Sequence, residues 1–179
     1  MIFNTPTRYG IVSKLLHWLI APLILSLIAI GSYMTTLSDE NPLYFRLLDL
    51  HQAIGLSVFC LFFVKVAWSL VTPNPGQLPT LAGWESLLAR IVHGVLLFAM
   101  AAIPVFGYLF ATGLGDEISI YDVFEIPSLT ELNKAESEQV ITIHVALAYG
   151  IGALIALHIL AVVKHHVVDK NEILRRMWR

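Results

Sequence analysis

Two histidines, His144 and His158, stand fourteen residues apart with only uncharged residues between them. Fourteen steps along an α-helix return to within about 40° of the starting direction, so on one helix both imidazoles share a face. A rise of about 1.5 Å per residue separates them by roughly 21 Å, most of the way across a ~30 Å hydrocarbon layer. Imidazole is a metal ligand, and two of them at two depths on one face would each serve a separate metal centre. Partner ligands must then come from other helices. His17, His51 and His93 are placed to supply them.

The elements that must carry these histidines are legible in the composition. The chain has 179 residues, 57% hydrophobic and only 13% charged, about half the charge fraction of a soluble domain. Four apolar stretches run approximately Leu15–Leu37, Leu50–Val71, Ile91–Leu114 and Val140–Val163. Each exceeds the ~20 residues a helix needs to cross a bilayer. The expected architecture is an all-α integral membrane four-helix bundle, one transmembrane domain over residues 1–179. The polar segment Met1–Lys14 resembles the basic end of a signal sequence. The apolar run after it is too long for a cleaved signal and carries no A-x-A site, so it reads as a retained first span.

Orientation follows from charge. Arg8, Lys14, Lys65, Arg90, Lys164, Lys170, Arg175, Arg176 and Arg179 fall on the side of the two termini and the second loop, against Arg46 and Lys134 on the other. That bias places both termini in the cytoplasm. The opposite side carries ten acidic residues: Asp39, Glu40, Asp49, and in the last loop Asp116, Glu117, Asp122, Glu125, Glu131, Glu136 and Glu138. The last loop, about Thr112 to Gln139, is the one long connection; Pro73, Pro75 and Pro79 make the second loop a rigid turn.

With that topology each histidine has a depth. His51 and His144 open the second and fourth spans on the outer side, and form one pair. His17, His93 and His158 lie near the cytoplasmic ends of the first, third and fourth spans, three candidates for two axial positions. A single histidine near a helix end can snorkel to the headgroups, but five at two matched depths point to ligation. Each level offers mainly imidazole, with no nearby intramembrane Asp, Glu or Cys. Zinc wants three or four protein ligands, whereas a six-coordinate haem iron takes two, so haem fits better than a bare metal ion. Cys60 is the lone cysteine, and with no Cys-x-x-Cys-His any haem is held non-covalently.

Neighbouring residues suit a flat macrocycle. Gly55 follows His51 by one turn, Gly94 adjoins His93, and Ala148 and Gly152 follow His144 by one and two turns. Small residues let a ring approach the backbone and also serve helix packing. Lys65 lies fourteen residues after His51, on the same face at the cytoplasmic level, and a buried ammonium there would suit a haem propionate; snorkelling to headgroups is the alternative. His165 and His166, beside Lys164, are expected exposed or facing headgroups, within range of a propionate or a quinone head. His93 is a candidate inner ligand, propionate partner or quinone-pocket residue.

These residues together resemble the bacterial cytochrome b561 family, small di-haem membrane proteins with four helices. The likeness rests on Asn4-Thr5-Pro6, Arg8-Tyr9-Gly10, His17-Trp18, Leu50-His51, Gly55, His93-Gly94, His144, His158 and Lys164-His165-His166, and covers essentially the whole chain. It implies an inner haem b held by His17 and His158 and an outer haem b held by His51 and His144. Family members commonly carry arginine where Lys65 stands, which has the charge and a bidentate fork as well. Some members are similar to a superoxide oxidase that passes electrons from periplasmic superoxide to membrane ubiquinone. A funnel for an anion should be positive, and the outer loops here are acidic.

The resulting expectation is a bacterial inner-membrane electron carrier working with the quinone pool, ubiquinone or menaquinone, and with a periplasmic donor or acceptor. The alternatives are a haem-anchoring subunit of a larger oxidoreductase, a superoxide:ubiquinone oxidoreductase, and a His-lined metal or proton transporter without haem. Assembly as a homodimer or within a complex is compatible with each of the first two. Nothing in the sequence suits nucleic acid, and no Gly-rich phosphate loop, flavin motif or nucleophile constellation is visible.

Overall fold

The computed structural model describes every residue except Asp39, Tyr121, Asp122 and Arg179. Three of these, Asp39, Asp122 and Arg179, count among the charged residues that set the expected orientation, and they lie outside the described residues. Four long α-helices follow one another: α1 (Ile11–Met34), α2 (Pro42–Val71), α3 (Gly83–Thr112) and α4 (Lys134–Val167). All four are long and apolar enough to cross a membrane. Packing is heaviest between α3 and α4 and between α1 and α2, with α2 against α3 and a lighter α1–α4 contact closing the bundle.

The helices start earlier than the apolar stretches that announced them. Asn41 caps α2 by accepting from the Leu43 amide at 3.0 Å, and Pro42 takes the first helical position, where its missing amide costs nothing. Asn133 and Glu136 cap α4 reciprocally, at 3.0 and 2.9 Å. At the other end α1 stops at Met34, short of Leu37.

Two elements carry no apolar run of their own. In the last loop β1 (Ile118–Ile120) and β2 (Phe124–Ile126) form an antiparallel hairpin in which Ile118 faces Ile126, and β1 packs on α2. At the other end of the bundle lies the short helix α5 (Ile173–Trp178). Its Trp178 ring meets Trp18 edge-on at 5.2 Å, and the Trp18 indole donates to the Met177 carbonyl at 2.9 Å. Arg176 donates to the carbonyls of Thr7 and Gly76, at 3.0 and 2.9 Å.

Asn4 explains why the N-terminal tail is held. Its side-chain oxygen accepts from the Gly10 amide at 2.8 Å and from the Ser13 hydroxyl at 2.7 Å, and its amide group donates to the Pro73 carbonyl at 3.1 Å. Trp68 donates in turn to the Ser13 hydroxyl at 2.9 Å. The tail, the second loop and the C-terminal helix are thus bound together at one end of the bundle. The packed core of Leu16, Ile20, Val58 and Met100 lies in the middle and toward this same end.

Candidate functional site

The two histidines expected at the outer level lie close together. His51 in the first half of α2 and His144 in the first half of α4 place their ring centroids 6.2 Å apart with planes at 67°. Two imidazoles on opposite sides of one metal ion, each at about 2 Å, stand about 6 Å apart once the ring radius of about 1 Å is added on either side. The His144 Nδ1 lies 3.0 Å from the Ile103 carbonyl of α3. A carbonyl can only accept, so Nδ1 carries the proton and Nε2 presents its lone pair.

His51 is different. Its Nδ1 is the one buried side-chain polar atom, among the described residues, that finds no hydrogen-bond partner. An orphaned polar atom inside an apolar span is costly, and no protein group relieves that cost at His51. Two neutral nitrogen donors at this separation, with no carboxylate or thiol grouped with them among the described residues, fit the axial positions of a haem.

Both outer imidazoles lie against a glycine of the neighbouring helix. A Cβ on Gly31 of α1 would stand 3.2 Å from His51 Cε1, and one on Gly107 of α3 would stand 3.0 Å from His144 Cε1 and 3.2 Å from its Nδ1. Sequence reasoning passed over both, since each glycine is far in sequence from the histidine it accommodates. Of the small residues it did select, Gly55 and Gly94 face open space, with nothing within 4 Å of where a Cβ would stand. Gly152 abuts Ile28 at 3.7 Å and serves α4–α1 packing.

The inner level gathers three imidazoles and an ammonium. His93 and His158 are in direct ring contact, 5.2 Å between centroids at 72°. His17 stacks edge-on with Trp18 at 5.2 Å and lies within electrostatic reach of Lys65, His93 and His158. His17 and His158 are half-buried, whereas His93 is exposed. Lys65 forms no ion pair among the described residues.

His165 departs from expectation. It is only 13% exposed, and its Nδ1 lies 2.6 Å from Asp169 Oδ2, so it turns inward where the sequence suggests an exposed or headgroup-facing residue. Asp169 draws it in; His166 is exposed, as expected. Lys164 Nζ sits 2.8 Å from both Glu85 and Asp169, and Glu85 also accepts from the Ala82 amide at the start of α3. Lys164 and His165 beside Asp169 hold its carboxyl below the usual carboxylate range. The Glu85, His165 and Asp169 donors converge enough to suggest a metal site, but the Lys164 ammonium already supplies the cation. They form a latch between α3 and the end of α4.

Comparison with known proteins identifies the family. The model of the prokaryotic cytochrome b561 family matches residues 8–179. The chain is 34% identical over 174 residues to cytochrome b561 homolog 2 of Escherichia coli (strain K12), covering 97% of this chain and 93% of that protein. It is 25% identical over 172 residues to the probable superoxide oxidase CybB of Yersinia pestis, covering 95% of each. Cytochrome b561 homolog 1 of Escherichia coli (strain K12) is 22% identical over 170 residues, covering 95% of this chain and 96% of that one.

Proposed function

This chain belongs to the prokaryotic cytochrome b561 family, a multi-pass protein of the bacterial inner membrane, and we propose that it is a di-haem electron conduit exchanging electrons with the quinone pool. The observation that carries this reading is the His51–His144 pair, two imidazoles from separate spans at the separation an axially ligated iron needs. In this reading His51 and His144 hold an outer haem b, and His17 and His158 an inner one. Both termini face the cytoplasm, in keeping with the basic residues gathered at their end of the bundle.

A haem held by these histidines would supply a one-electron iron couple. The protein residues do the rest. His144 is locked by Ile103 in the tautomer that offers Nε2, whereas no protein group accepts from His51 Nδ1. Lys65 places a positive charge at the inner level, where it balances a propionate. His93, in contact with His158 and exposed on α3, is placed to hydrogen-bond a propionate or a quinone oxygen. Leu16, Ile20, Val58 and Met100 form a packed apolar core beside the inner level.

A quinol releases two electrons and two protons, and each electron leaves singly, so the quinone site needs a proton path to water. The cytoplasmic end, with His93 and the polar latch of α3 and α4, offers one. Anaerobic mixing of the purified protein with ubiquinol and menaquinol analogues tests the assignment. Reduction of the haem absorbance by at least one of them is expected, and failure of both, with dithionite still reducing the protein, would contradict it.

A superoxide oxidase role is the second reading, favoured by the likeness to the Yersinia pestis protein. The ten acidic residues expected on the outer side would repel an anionic substrate and favour a different outer partner.

A further inference from the structure

Gly107 and His144 form a unit that the family reading does not assign. The Ile103 carbonyl lies one turn before Gly107 on α3, and a helical carbonyl with two lone pairs can accept from a side chain while keeping its own helix bond. In reaching it, the His144 imidazole brings its Cε1–Nδ1 edge close to position 107. A methyl there would stand 3.0 Å from Cε1 and 3.2 Å from Nδ1, tighter than ordinary packing, and both atoms belong to a ring held by a hydrogen bond rather than to a free side-chain end. We propose that Gly107 is a positioning residue: its missing side chain lets His144 donate Nδ1–H to Ile103, and that bond sets the electron donation of the imidazole to the outer iron.

The inference rests on the outer-haem reading given above. It gains force from the second ligand. His51 lies against Gly31 in a related way, 3.2 Å from Cε1 to the position of a methyl, yet its Nδ1 finds no acceptor. The two sides of the outer site are therefore unequal. A hydrogen bond at the far nitrogen raises ligand basicity and stabilises the more highly charged metal. His144 is the stronger donor of the two, and the carbonyl bond favours the oxidised outer centre.

The test compares Gly107→Ala with Gly31→Ala and with Gly150→Ala, a position where an added methyl meets nothing within 4 Å. In Gly107→Ala the outer midpoint potential shifts upward, or the outer haem is lost while the inner is kept; Gly150→Ala titrates as wild type. Gly31→Ala crowds His51 with no hydrogen bond to break, so any upward shift is smaller than in Gly107→Ala. Two haems with unchanged potentials in Gly107→Ala overturn the proposal. If that variant does not accumulate, nitrogen-15 histidine spectra of the wild-type protein decide. A His144 Nδ1 proton in slow exchange supports the unit, and an unprotonated Nδ1 overturns it. A wild-type protein with no outer haem at all sinks the functional reading instead, and this inference with it.

Discussion

The imidazoles of His51 and His144 approach to 6.2 Å between ring centroids from helices that lie across the bundle from one another. Neither helix gains this proximity by packing on the other. The flanking helices supply it, α1 through Gly31 and α3 through Gly107 and the Ile103 carbonyl. The histidines are thus held by the bundle as a whole, each against a glycine of a flanking helix.

Replacing either outer histidine with leucine should remove one haem and leave the other. Reduced-minus-oxidised spectra of His51→Leu and His144→Leu are expected to lose about half the absorbance, with the remaining centre titrating as the inner one. Two intact haems in both variants would show that the outer pair is not the ligand set.

Lys65→Gln removes an ammonium beside the inner imidazoles. A charge about 10 Å from the iron at an effective dielectric constant of about 20 is worth roughly 1–2 kcal/mol, so the inner potential should fall by on the order of 50–80 mV. Potentiometric titration reads this directly. An unchanged inner potential and haem content would leave Lys65 a headgroup-facing side chain.

Much of this arrangement was legible in the sequence. The four spans followed from apolar length, and the pairing of His51 with His144 followed from depth alone, since both open their spans on the same side. What escaped was whatever depends on contacts between distant residues. Gly31 and Gly107 look like any other helix glycine until the imidazole above each is placed. The His93–His158 contact could not be read either, because depth puts three histidines at one level without saying which rings touch. The hairpin at Ile118–Ile126 and the helix Ile173–Trp178 are too short and too mixed to leave a periodic signal. The Asn133–Glu136 capping box was readable, and would have placed the start of α4 correctly.

The latch at the end of α4 carries a pH dependence of known sign. Asp169 has its carboxyl lowered by Lys164 and His165, so its contribution is present above the ordinary carboxylate pKa of about 3.9 and is lost as pH falls through the lowered value. Hydrogen exchange in the last turn of α4 should be faster in Asp169→Asn than in wild type at pH 7. The two proteins should converge only as pH falls through that lowered value, where wild-type Asp169 takes up its proton. The group is solvent-exposed, so the effect should stay local and small. Equal exchange at pH 7 would mean that the latch does not hold the helix end.

The central claim is that four imidazoles at two depths bind two haems in one chain. A pyridine haemochrome assay on protein quantified by amino-acid analysis, after expression with ample haem, measures it most directly. The account predicts two haem b per chain; one, or none, contradicts it.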